Sequence, residues 1–253
     1  MPASKPPTFT PPIVGAEIAW LPIFRERFEG APLKRIAVTC DGTTVRGEAM
    51  ITKSGLEGGA VYALSALLRE GLLGQAKATL SIDLRPDIGV TALGLRLQRP
   101  RGKQTLTNHL RKAAALSPAA VGLLREDVVG AALPSEPEAL ARRIKTVTLA
   151  VTGMPDLDRA ISTAGGVALR AVDDNLMLRE KPGVFVAGEM LDWEAPTGGY
   201  LLQACFSTGQ AAARGVLHWL GRPLADAPAS AWALPDALTS ALVPTDDASE
   251  PAA

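Results

Sequence analysis

Cysteine is nearly absent from this sequence, with only Cys40 and Cys205 in 253 residues. Two cysteines cannot build the disulfide framework of a small secreted domain or a Cys-rich zinc site, and neither belongs to a C-x-x-C pair. Both are expected to be reduced, with Cys205 serving as packing. Histidine is equally scarce: His109 in "TNHLRK" and His218 in "VLHWL" lie far apart with no partner at metal-ligand spacing, so no metal site is expected. Ser65, Ser162 and Ser207 lack a G-x-S-x-G setting, which argues against a hydrolase triad. No apolar run, residues 119–124 included, approaches the roughly 20 residues that cross a bilayer, and "MPASKPPTFTPP" is not a hydrophobic leader. An excess of one charge is missing too. Lys plus Arg and Asp plus Glu both count 26, so no net field draws the chain to nucleic acid or an anionic membrane. These absences point to a cytoplasmic protein with no nucleic-acid or membrane partner. Finally, none of the 24 glycines forms a G-x-G, so both the dinucleotide fingerprint G-x-G-x-x-G and the Walker loop are missing.

What is present can fill a core: 47% of the residues are hydrophobic. Five of the first twelve residues are proline, and residues 223–253 are rich in Ala, Pro, Ser and Asp, so both ends, 1–12 and 223–253, are expected to be disordered. Between them, β-prone runs at residues 36–39 and 48–52 flank Asp41-Gly42, a strong hairpin signal. "ATLSIDL" at 78–84 reads as a further strand, with "GGAVYALSALLREGL" as one helix before it. Lys53 beside glycines in "TKSGLEGGA" has the wrong spacing for a phosphate loop and reads as a turn. "DLRPD" reads as a salt-linked turn and "RPRGKQ" as a solvated basic linker, although the latter could also meet nicotinamide phosphates.

From residue 101 to 147 the pattern is helical. Ser117-Pro118 supplies an N-cap with proline at the first helical position, and "SEPE" at 135–138 fits a capping box on Ser135. Leu106, Leu110, Leu123, Leu124, Leu140 and Ile144 are expected inward. "KTVTLAVTG" then alternates like a strand returning to the β unit, and "AISTAGGVAL" is a glycine-centred link.

The stretch "VFVAGEMLDWEAPTGGYLLQA" carries the strongest chemistry. It reads as a buried strand at 184–187, a polar loop, and a helix at 198–220 whose inward face would be Leu202, Cys205, Phe206, Gly209, Ala213, Val216 and Leu220. A helix start offers unpaired N–H groups and partial positive charge, and Gly198 and Gly199 have no side chain to keep a ligand away from them. Glu189, just past the strand's carboxyl end, is placed to accept hydrogen bonds from sugar-type hydroxyls. A solvated acidic loop and a tight helix start account for the same residues about equally well.

"AISTAGGVAL" followed by "KPGVFVAGEMLDWEAPTGGYLLQACFSTGQAAARG" resembles the carboxyl-terminal signature of the BaiN/YhiN-type FAD-dependent oxidoreductases, a family of two-dinucleotide-binding-domain flavoproteins. Upstream, "GAPLKRIAV", "RGEAMITKSGLEGGAVYALS", "SIDLRPD", "KQTLTNHLRKAAALSPAAVGLLRE" and "ARRIKTVTLAVTG" resemble that family's inserted domains in the same order. The resemblance implies an α/β fold with an α+β insertion. Residues 13–32 would be a remnant of the FAD domain, 33–100 and 143–160 a β-barrel-like domain, 101–142 a helical insertion, and 161–222 the carboxyl-terminal part of a Rossmann-like FAD-binding domain. Gly188 and Glu189 would lie against the ribityl and pyrophosphate of FAD. Thr197, Gly198, Gly199 and Tyr200 would bring the helix start to the flavin pyrimidine edge, while Thr163, Gly165 and Gly166 would line the passage near the isoalloxazine.

The implied activity is hydride transfer through FAD, with NAD(P)H as electron donor and a small molecule as acceptor. No catalytic acid or base is identified. Family members also carry a G-x-G-x-x-G turn that this sequence lacks, so the resemblance implies a misplaced start, a truncated form, or a split form whose other half is a separate chain, and the proline-rich "MPASKPPTFTPP" favours the first. The alternative is a non-catalytic remnant or interaction module that binds no FAD by itself.

Overall fold

The computed structural model describes residues 10–75, 78–126, 132–156, 158, 160–195 and 197–222. These fall into two compact units, one spanning Thr10–Thr163 and the other beginning at Ala164.

The larger unit is built on an antiparallel sheet. Strand β1 (Thr10–Ile13) pairs with β8 (Ser162–Ala164), while β2 (Ala16–Glu17), β3 (Pro32–Cys40), β4 (Thr43–Ile51), β5 (Gly55–Glu57), β6 (Ala78–Asp83) and β7 (Val147–Val151) form a six-stranded sheet ordered β2-β5-β4-β3-β6-β7. An antiparallel bridge between Glu17 and Gly153 joins the β2 edge to the end of β7, so the sheet curls as a barrel does. The β3–β4 hairpin turns on Asp41 and Gly42, both at positive φ (45° and 76°), the conformation that a two-residue hairpin loop requires. Along β6 and β7 alternate residues are buried, including Leu80, Ile82, Val147 and Leu149, as period-two patterning demands.

Among the described residues, seven α-helices accompany this sheet: α1 (Pro22–Phe28), α2 (Gly59–Tyr62), α3 (Ser65–Gln75), α4 (Val90–Leu97), α5 (Leu106–Ala113), α6 (Pro118–Glu126) and α7 (Pro137–Lys145). Leu93, Leu110, Leu123, Leu124, Leu140 and Ile144 join the sheet's inner side chains in one core. Burying each such side chain is worth about 1.5–3 kcal/mol. Polar ties fix the helices: Ser117 Oγ caps α6 through the Ala120 amide at 3.1 Å, and the Glu126 carboxylate accepts the Leu21 amide at 2.9 Å. Burial raises the Glu126 carboxyl above its ordinary range, and the Leu21 hydrogen bond opposes that shift. His109 is a core residue whose Nε2–H donates to the Leu97 carbonyl at 3.1 Å, binding α5 to α4.

Several local expectations are corrected. Residues 59–75 form two helices because the chain turns at Ala63 and Leu64, where fully buried Leu64 anchors the corner. Helical structure begins at Val90, ahead of residue 101, and α4 packs along α7. Glu136 caps α7: its carboxylate accepts the Glu138 and Ala139 amides at 2.9 and 2.5 Å, in the role expected of Ser135. Ala16–Glu17 pairs with β5, and residues 13–32 fall within the larger unit. The "DLRPD" acids do form ion pairs, but with distant residues: Asp83 with Lys145 at 2.6 Å and Asp87 with Arg46 at 2.5 Å. The expectation of disorder at 223–253 lies outside the described residues, as does that for 1–9, whereas Thr10–Ile13 form β1.

The smaller unit contains helix α8 (Tyr200–Trp219) and a folded loop region with a small core of Val172, Val186 and Leu191. Residues 184–187 are not a strand. Phe185 makes one antiparallel bridge to Met177, and a strand needs a neighbour along its length, which no described residue supplies. Among the described residues no helix is long and apolar enough to cross a membrane.

Candidate functional site

The glycine-rich turn of the smaller unit is assembled by backbone hydrogen bonds. Val167 N–H donates to the Met190 carbonyl at 2.8 Å and Asp192 N–H to the Val167 carbonyl at 2.9 Å, a parallel bridge that lays the Gly165-Gly166 link along residues 190–192. Gly166 sits at φ 150°, and a Cβ there would lie 2.7 Å from the Met190 carbonyl oxygen. Only glycine allows the two backbones so close.

Gly188 starts a short 3-10 turn, Gly188–Met190, and is itself buried at φ 62°. Its N–H donates to Thr208 Oγ1 at 2.9 Å, and that hydroxyl donates to the Ala204 carbonyl at 2.6 Å, clamping the turn against α8. Cys205 packs on the other side of Gly188, with its Sγ 3.2 Å from where a Cβ would stand. Glu189 follows, partly exposed on the turn.

Helix α8 begins in the open. Gly198 and Gly199 take φ of 111° and 91°, Gly199 is the N-cap, no side chain caps the first turn, and no acid occupies it. A Cβ on Gly199 would meet nothing within 4 Å, so the helix start is uncrowded at that position. The positive end of a 20-residue helix therefore stands exposed beside Thr197 and Tyr200, a setting suited to an electron-rich ligand edge.

Of the residues singled out from the sequence, Gly165, Gly166, Gly188 and Glu189 come together through the bridge, and Thr197, Gly198, Gly199 and Tyr200 cluster at the helix start. Thr163 lies on β8 of the larger unit. Sequence reading missed Thr208. A threonine inside a helix gives no sign of an acceptor role until the Gly188 amide is brought to it.

The helix face also differs from the expected one. Ala204, Thr208, Ala212 and Gly215 are buried, while Leu202 and Phe206 are 64% and 67% exposed. Small residues let α8 approach the loop region so closely that a Cβ on Gly215 would lie 2.4 Å from the Asn175 carbonyl oxygen. The larger apolar side chains point away from that contact.

Comparison with known proteins follows this division. The chain is similar to a 3-dehydro-bile acid delta(4,6)-reductase of Clostridium scindens, 28% identical over 177 residues that make up 66% of this chain and 43% of that protein. The chain thus spans well under half the length of that relative. Residues 10–162 match the HI0933-like protein barrel and H2TH domain, and because the match takes in the whole curled sheet and its helices, more than half of the sequence, the chain belongs to the HI0933-like family.

Proposed function

We propose that the chain is part of an FAD-dependent oxidoreductase, with the turn at residues 188–200 forming one side of the flavin cradle. The observation that carries this reading is the uncapped start of α8 beside the Gly188–Met190 turn, held in place by Thr208. The residues suit such a group: Gly198 and Gly199 carry no side chain at the helix start, and no acid occupies the first turn. When bound, FAD would supply hydride transfer between a nicotinamide donor and a small unsaturated or carbonyl-conjugated acceptor.

The chain's own residues would bind and orient. Amides of the first turn of α8 would hold the electron-rich pyrimidine edge, and the helix dipole would favour negative charge there. Glu189 would accept hydrogen bonds from ribityl hydroxyls, while Gly165 and Gly166 would leave room for the ring. Residues 161–222 would be the carboxyl-terminal part of a Rossmann-like domain. The G-x-G-x-x-G turn for the other end of FAD would come from sequence outside these 253 residues, in a split arrangement from a separate chain.

A second reading has its own observation in favour. Met190, Leu202 and Phe206 are each more than half exposed, as on a surface that meets another protein, so the chain by itself would bind no FAD and act as an interaction module. Absorption spectra separate the two. On the enzyme reading, the purified chain keeps no flavin absorbance after incubation with FAD and desalting, and keeps it once reconstituted with a segment carrying G-x-G-x-x-G. A reconstituted complex that remains colourless sinks it.

A further inference from the structure

Away from the glycine-rich turn, one cleft of the larger unit gathers cations around an irregular strand. On β3, Leu33 pairs with Ala49 and Ile36 with Gly47, so Lys34 and Arg35 together oppose Glu48. Two residues against one is a β-bulge, which re-aims side chains that regular alternation would place elsewhere. Burial registers the change: Leu33 is buried, and the inward phase resumes at Ile36, Val38 and Cys40 instead of at residue 35. The bulge thereby keeps Arg35 out of the core. Arg35 takes φ 53°, and Ala115, which lines the same cleft, takes φ 49°. Non-glycine residues seldom adopt this region, and such outliers gather at functional sites.

The cleft encloses about 240 Å³ and is lined by Lys34, Arg35, Arg85, Asp87, Ala115 and Ser117. It adjoins a second, 500 Å³ hollow that shares Lys34, Arg35 and Asp87 and adds Arg46 and Glu48. Arg85 is oriented from behind, donating through Nη1 to the Ala114 carbonyl. Burial, then repulsion from Arg35 and Arg96, lowers its pKa, with Asp87 and Asp83 opposing. Those two acids are engaged elsewhere, Asp87 with Arg46 and Asp83 with Lys145. The first turn of α6, capped by Ser117, presents its positive end to the same space.

We propose that this cleft binds the phosphate of a small organic phosphate, held by Lys34, Arg35 and Arg85 against the start of α6. Guanidinium groups match a phosphate through paired charge-assisted hydrogen bonds, and a dianion offsets the mutual repulsion of three neighbouring cations better than a carboxylate does. The site stands independently of the flavin reading, because every residue in it belongs to the sheet unit.

Calorimetric titration of the full chain with inorganic pyrophosphate, ADP and NADPH tests it. Saturable binding of pyrophosphate is expected, with affinity falling about tenfold in Arg35→Ala and in Lys34→Ala. Arg142→Ala, which removes an exposed arginine on α7, leaves binding unchanged. Equal affinity for all three probes assigns a bare diphosphate site, whereas tighter NADPH or ADP assigns a nucleotide; both support the proposal. Arg35→Gly separates binding from folding, because glycine suits φ 53° and should raise the melting temperature while binding falls. No heat with any probe at about 1 mM, unchanged affinity in both Arg35 variants, or equal loss in Arg142→Ala overturns the proposal. Tenfold tighter binding to a duplex oligonucleotide than to pyrophosphate overturns it as well.

Discussion

The amide of Gly188 is held by the side chain of Thr208, twenty residues later in the chain, at 2.9 Å. One hydroxyl thus serves both the turn and the helix, since it also donates to Ala204.

Replacing Thr208 with valine keeps the shape and leaves the buried Gly188 amide without its acceptor. The smaller unit should lose about 1–3 kcal/mol of stability, as measured by urea denaturation. Thr208→Ser, which keeps the hydroxyl, should lose much less.

Gly166→Ala should cost about 2–3 kcal/mol, because a Cβ at φ 150° meets the Met190 carbonyl oxygen at 2.7 Å. Hydrogen exchange should quicken at the amides of Val167 and Asp192, which carry the bridge. By contrast Gly199→Val, where the space is open, should act through the strained φ of 91° and the covered amides. In the reconstituted complex, Gly199→Val and Glu189→Ala should both weaken flavin uptake, followed by absorbance. Unchanged uptake would remove these residues from the cradle.

Leu80 is fully buried in the middle of β6. Leu80→Ala should destabilise the sheet unit by about 2–5 kcal/mol in thermal or urea unfolding, since the surrounding strands collapse only partly into the space.

The Glu136 cap makes stability depend on pH. Hydrogen bonds from the Glu138 and Ala139 amides hold its carboxyl below the ordinary 4.5. A depressed folded-state pKa means that the contribution is fully present above 4.5 and disappears as pH falls through the lower folded value. Comparison of Glu136→Gln with the parent chain across pH 3 to 7, roughly the range over which carboxylates titrate, should show a stability difference that is largest at neutral pH and shrinks toward the acid end. A constant difference would mean that the charge plays no part in the cap.

Short-range chemistry was legible. Asp41-Gly42 marked the hairpin because a two-residue turn needs positive φ at both positions, and Ser117-Pro118 marked the start of α6 because capping is decided within one turn. The choice of Glu136 over Ser135 as cap was less accessible, since neighbouring residues could both fill the role and one residue of register decides.

The sequence by itself therefore determined the β3–β4 hairpin turn and the start of α6, because those depend on backbone conformation over a few residues. Tertiary structure decided the rest. It chose Ala204, Thr208, Ala212 and Gly215 as the buried face of α8 over the more hydrophobic Leu202 and Phe206, because burial follows what the helix packs against and not the hydrophobicity of its side chains. It left residues 184–187 without strand structure, because pairing needs a neighbour. It also turned Arg35 out of the core through a bulge, and so brought Lys34, Arg35 and Arg85 to one cleft from positions fifty residues apart.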